Sequence, residues 1–175
     1  MTGSIVVRRV RATEGTQLRT LRLQALTDAP MAFGSMLADE QARPEQEWRE
    51  RAATSAAGVD RVTFIAEHGA LWVGSATSLL DESTPAERTA WVVGMWVHPD
   101  VRRRGVARAL LSAVATWAGE RGADVLQLHV TETNATAIGL YERLGFRASG
   151  QPQPLPHTPG VRENHMRCPL ADFRG

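Results

Sequence analysis

The chain has 175 residues, 43% of them hydrophobic and 22% charged, with a formal net charge of +1. This length and balance predict one globular domain over residues 1–175 and argue against a nucleic-acid partner, whose binding surfaces carry a clear basic excess. Every basic residue is arginine and the only cysteine is Cys168, so Schiff-base lysine chemistry, an intrachain disulfide and a cysteine metal cluster are excluded.

No run approaches the ~18 apolar residues of a membrane span, and the apolar run in "MTGSIVVRRVRATEG" is too short for a signal peptide. A cytoplasmic protein with no membrane partner is expected. "SIVVRRV" (4–10) reads as a first strand. "TEGTQLRTLRLQALTDAP" spaces Leu18, Leu21, Ala25 and Leu26 as a helix does and ends before Pro30. "MAFGSMLADE" has no clear period and reads either as a buried connection or as the lining of a site. A second helix starts near Pro44 and carries Trp48.

"RVTFIAE" and "LWVGSATSLL" flank His68-Gly69-Ala70 as an antiparallel hairpin, and "DESTPAER" is a polar loop. "TAWVVGMWV" has the near-continuous apolar pattern of a strand buried on both faces. The helix "RGVARALLSAVATWAGERG" presents Val106, Leu110, Val114 and Trp117 on one stripe and stops at Gly122. "DVLQLHV" is a further strand, followed by Asn134 and a helix through "LYERLG". "FRASG" and "ENHMRCPL", separated by a proline-rich loop, form a terminal hairpin. Strands alternating with helices between hairpins imply an α/β (α+β) mixed sheet covered by helices.

The stretch "VHPDVRRRGVARALL" puts a turn between a strand ending at Val97 and a helix opening near Gly105. A helix start offers unpaired N–H groups and partial positive charge, and Gly105 and Ala107 permit close approach of phosphate oxygens. A solvated basic turn is the other reading. Gly94, inside the apolar strand, marks a bulge whose freed N–H would face a carbonyl oxygen, or close packing against a helix. Asn134, Ala137, Ile138 and Tyr141 share one helix face. Tyr141 is the only tyrosine; a phenol with pKa near ~10 can protonate a departing thiolate near ~8.5, or serve as a core residue.

"MWVHPDVRRRGVARALL" and the downstream "N-x6-YERLGF" resemble the GNAT superfamily of acyl-CoA N-acyltransferases, with Arg102, Gly105 and Ala107 on its R-x-x-G-x-G/A motif. The resemblance runs from about residue 61 to the C-terminus. It implies a mixed, mostly antiparallel sheet of six to seven strands with a splayed parallel pair and about four flanking helices. It implies acetyl-CoA as donor and no metal. Met95, Trp96 and Val97 would line the pantetheine arm. Arg102, Arg103, Arg104, Gly105, Val106, Ala107 and Arg108 would form the pyrophosphate turn, the last six through their backbone N–H groups. Asn134 would contact the cofactor and Tyr141 would be the general acid.

The implied reaction is direct transfer to a primary amine in a ternary complex, which needs proximity and a proton acceptor rather than an enzyme nucleophile. Where some members carry a strand carboxylate, this chain has Trp91, Val92 and Val93. His129 alternates with Leu128 and Val130 and shares a face with Gln127. With histidine's ordinary pKa near ~6.5 it is a candidate base. A structural histidine, or deprotonation through water by Glu40, Glu132 or solvent, is the alternative. Asp39, Glu40, Asp81 and Glu82 would attract a cationic amine or be merely solvated. A small-molecule amine is the expected acceptor, with a protein or peptide amine, or a non-catalytic acyl-CoA-binding module, as the alternatives. A homodimer is compatible with such a fold.

Overall fold

The computed structural model describes residues 4–81, 83 and 87–175. Its strands are β1 (Ile5–Arg9), β2 (Arg61–His68), β3 (Leu71–Asp81), β4 (Thr89–Val97), β5 (Val125–Thr131), β6 (Arg147–Ala148), β7 (Gln153–Pro154) and β8 (Arg162–Pro169). The helices are α1 (Gly15–Asp28), α2 (Leu37–Ala42), α3 (Glu45–Ala57), α4 (Val106–Glu120) and α5 (Ala135–Arg143). One sheet runs in the order β1-β2-β3-β4-β5-β8-β6, with β7 also on β8.

All pairings are antiparallel except that of β4 with β5, which are joined by the α4 crossover that parallel neighbours require. The sheet is therefore mixed and mostly antiparallel, as the resemblance implied. The pieces beyond the expected count are short. β6 and β7 have two residues each, and α2 has six within the stretch that showed no period.

The apolar stripe of α4 covers one sheet face. Leu110, Leu111, Val114 and Trp117 are buried against Val62, Ala66, Ala76, Ala90 and Val92. Each such side chain stabilises the fold by roughly 1.5–3 kcal/mol, and cutting Leu110 to alanine would cost about 2–5 kcal/mol. The Trp117 indole N–H is satisfied by the Gly58 carbonyl at 3.0 Å. The helix closes with Ala123 N–H on Ala118 O and Gly122 N–H on Gly119 O, a Schellman ending at the expected glycine.

The opposite face of β2–β4 is covered by α1 and α3. Leu21, Ala25 and Leu26 pack with Phe33, Ile65 and Trp96. β5 splits by alternation: Leu126, Leu128 and Val130 join the α4 core, while Gln127 and His129 take the other face. None of the described helices is long and apolar enough to cross a membrane.

Candidate active site

The sheet opens in its middle. β4 and β5 pair only from Thr89↔Val125 to Val92↔Leu128, so Val93–Val97 and His129–Thr131 diverge on facing edges. The divergence starts where β4 is bulged. Ser75 pairs with Trp96 and Thr77 with Val93, leaving Gly94 and Met95 opposite Ala76 alone. Gly94 has φ +60°, a value that a side chain resists, which is why glycine stands there. Its carbonyl accepts from the Ser75 hydroxyl at 3.3 Å.

β4 then runs into the arginine turn. Arg103 has φ +63° and Gly105 φ +81°, and Gly105 is the N-cap of α4 without a capping side chain. A Cβ on Gly105 would meet nothing within 4 Å, so the space beside the start of α4 is open. The side chains of Arg103 and Arg104 are exposed. Arg102 turns the other way: Nε donates to Val97 O at 2.9 Å, and Nη2 donates to Asp28. Asp28 also accepts from Trp96 Nε1 at 2.9 Å. The Arg102 side chain thus braces the turn against α1 and β4. Arg108 reaches the carbonyl of Gly175.

Asn134 caps α5, its Oδ1 accepting from Ala137 N–H at 3.1 Å. Tyr141, one face later, is buried beside Phe146 in the α4 core. Among the described residues none hydrogen-bonds its hydroxyl, and burial pushes the phenol up to about 12.

His129 lies across the sheet from Tyr141, just past the last β4–β5 pair. Its ring packs 4.9 Å from Trp91 and 5.3 Å from His165. Nε2 is 3.2 Å from Gln153 Nε2, and Nδ1 is 3.6 Å from Glu163 Oε1. His165 Nε2 meets Gln127 Oε1 at 3.0 Å, and partial burial, with His129 and Arg167 nearby, lowers the His165 pKa. Glu132 makes an exposed ion pair with Arg162.

A cavity of about 200 Å³ lies between α1, α3 and strands β2–β4 and reaches Val93 and Gly94. Its floor is a hydroxyl chain in which Thr63 Oγ1 contacts Ser55 at 3.0 Å and Thr77 at 2.8 Å. Its walls reverse the expected sign. Glu40 is only 3% exposed and accepts from Arg43 Nε and Arg51 Nη1, both at 3.1 Å, so it is neither solvated nor open to a cationic amine. Arg22 and Arg61 also line the cavity. Asp81 is held by Trp91 Nε1 and Ser83, and Glu82 lies outside the described residues. The cavity arginines carried no signal in the sequence: arginine is the only basic residue type, so no one position stood out.

The Acetyltransferase (GNAT) family model matches residues 23–146. The Escherichia coli K12 [ribosomal protein bS18]-alanine N-acetyltransferase is 32% identical over 131 residues, 74% of this chain and 81% of that protein. Among solved structures, a Streptococcus pneumoniae GNAT-family acetyltransferase superimposes with TM-score 0.80 at 18% identity, covering 94% of this chain and 98% of that one. The Salmonella typhimurium protein yncA, solved with its cofactor acetyl-CoA, gives TM-score 0.76 at 16% identity over 98% and 97%. These two likenesses concern the fold, whereas the family match and the bS18 enzyme's identity over most of its length concern descent. On that ground the chain, with its opened β4–β5 pair and uncapped α4 start, belongs to the GNAT acetyltransferase family.

Proposed function

We propose that this acetyltransferase uses acetyl-CoA to acetylate a primary amine on a small molecule, by direct attack with both reactants bound at the opened β4–β5 pair. The observation that carries this reading is the bulge at Gly94, which joins an open ladder edge on β4, a bare helix start at Gly105 and a cavity. The edge of Met95–Val97 suits an arm rich in amides. The N–H groups of Arg103 to Arg108 suit a pyrophosphate. Asn134, with its oxygen spent on the cap, keeps its NH₂ for the cofactor.

Amide formation requires that the amine nitrogen lose a proton and the departing sulfur gain one. His129 follows the last β4–β5 pair on one sheet face and Tyr141 is buried in the core on the other, which supports assigning one to each task. A phenol at about 12 is a weak acid, but the same burial that raises it also raises the thiol it would protonate. His129 accepts the amine proton, directly or through water, and Glu163 steadies the resulting charge.

A second reading takes a protein N-terminus as acceptor, favoured by the relative that acts on the alanine of bS18. Release of CoA thiol from acetyl-CoA, followed with a panel of small amines and with alanine-starting peptides, separates the two. Acetylation of small amines alone supports the first reading, acetylation of peptides alone supports the second, and no release with either removes both.

A further inference from the structure

The cavity that ends at Gly94 has walls whose polar atoms are unmatched in one direction. Arg22 Nη1, Arg61 Nε and Trp48 Nε1 are all buried, and among the described residues none of them has a hydrogen-bond partner. All three are donors. A buried N–H without an acceptor has given up water for nothing, which a folded core rarely tolerates three times in one place. The hydroxyl floor is by contrast bonded to itself.

Charge points the same way as hydrogen bonding. Arg22, Arg51 and Arg61 line the cavity with Glu40 as the only acid among the described residues, and that carboxylate is already shared between Arg43 and Arg51. Arg22 reaches its place across Phe33, whose ring lies 4.5 Å from the guanidinium carbon, and its Nη2 is fixed by Ser35 at 3.1 Å. Desolvation acts on both Arg22 and Arg61, and the neighbouring arginines add to it. Arginine remains charged under such conditions, so the cavity holds an excess of positive charge.

Position ties this charge to the chemistry. A Cβ built on Gly94 would sit 3.9 Å from Arg22 Nη1 and 4.0 Å from Thr77 Oγ1. The positive wall therefore begins one atom's width from the bulge. A volume of about 200 Å³ lies below the roughly 300–1,000 Å³ of pockets that take drug-sized ligands, which suits a small acceptor.

We infer that this cavity binds the acceptor and holds its carboxylate against Arg22, Arg61 and Trp48, so that the substrate is a small amine bearing a carboxylate, of the amino-acid class. The inference rests on the acetyltransferase reading above for the amine's fate, but the anion site stands on its own geometry. A planar carboxylate fits guanidinium edges and an indole N–H in one cavity. With the carboxylate seated on the arginines, the amine projects toward Gly94, and the same positive charge disfavours its ammonium form there.

The first arm of the test measures acetyl transfer to small L-amino acids, from glycine to leucine, against their decarboxylated amines and their methyl esters. The expected result is a kcat/KM at least about tenfold higher for some acid than for its uncharged or decarboxylated partners. In Arg61→Gln that ratio falls about tenfold, through KM. The second arm needs no turnover: the N-acetylated amino acids, added with CoA, raise the Tm of the wild type and raise that of Arg61→Gln much less. Should Arg61→Gln fold poorly, Trp48→Phe, which removes only the indole N–H, takes its place in both arms.

Efficient transfer that prefers the decarboxylated amines overturns the carboxylate assignment while leaving the acetyltransferase intact. Transfer to no amine at all overturns the functional reading, and the binding arm alone then decides the anion site. Equal stabilisation of wild type and variant, or stabilisation of neither, overturns it.

Discussion

Asp28 ends α1, where a carboxylate opposes the helix dipole, yet one of its oxygens takes both the Trp96 indole N–H and the Arg102 guanidinium. Asp28→Ala removes that acceptor. Trp96 is only 5% exposed, so its N–H is left without a partner at a cost of about 1–3 kcal/mol. The Arg102 pair is 46% exposed on the arginine side and adds no more than about 1 kcal/mol. Removing the carboxylate from the helix end returns roughly 0.3–1 kcal/mol. The net loss of about 2 kcal/mol lowers Tm by roughly 4–8 °C in a chain of this size. Arg102, held then by Val97 O alone, no longer braces the turn, so KM for acetyl-CoA rises more than kcat falls. Asp28→Asn keeps an oxygen for the indole and recovers most of the Tm. Differential scanning calorimetry and a KM–kcat split check this. A Tm within about 1 °C of wild type, or a fall in kcat with KM unchanged, would refute the bracing role.

Tyr141→Phe deletes a hydroxyl that no described residue bonds, so Tm stays put while kcat falls at least about a hundredfold if the phenol is the acid. Because burial pushes that phenol up to about 12, the wild-type kcat profile shows no alkaline limb from it below about pH 10; a limb near neutrality that vanishes in the variant contradicts the assignment. His129→Ala is expected to slow turnover, and an unaltered turnover would take His129 out of the mechanism. Arg8 holds the carboxyls of Glu14 and Glu67 below their ordinary value of 4.5. Their contribution is complete above that value and fades as pH falls through the lowered folded values. The Tm gap between wild type and Arg8→Met is therefore widest near neutrality and narrows below it toward strong acid; a gap constant with pH sinks this account.

Much of the site was legible because it is local. The apolar run of β4, the turn and the α4 stripe lie within one continuous stretch, and Gly94 announces its bulge as a glycine in a strand that otherwise favours side chains. The alternation of β5 likewise separates Leu128 and Val130 from His129 without any tertiary knowledge. The acceptor side was not legible, since it is made by meetings of distant residues. Arg22 on α1, Trp48 on α3 and Arg61 on β2 converge only once the helices dock. The acid Glu40 looked like a surface residue because nothing nearby in sequence shows that Arg51 will neutralise it. Asp28 is equally opaque, as its partners lie 68 and 74 residues away.

The gap between β4 and β5 gives the protein two sheet edges where a continuous sheet has none. An unpaired edge is a template for foreign strands, and proteins blunt their outer edges with charge, bulges or cover. Here the two edges face each other, and the proposed function requires them to stay bare. On the proposed function the acyl donor would serve the fold as a missing strand, its amides completing the ladder while it is bound, so the protein is expected to be most prone to self-association when emptied of it. Purification without CoA is then expected to yield the more aggregation-prone preparation, which light scattering with and without added acetyl-CoA checks.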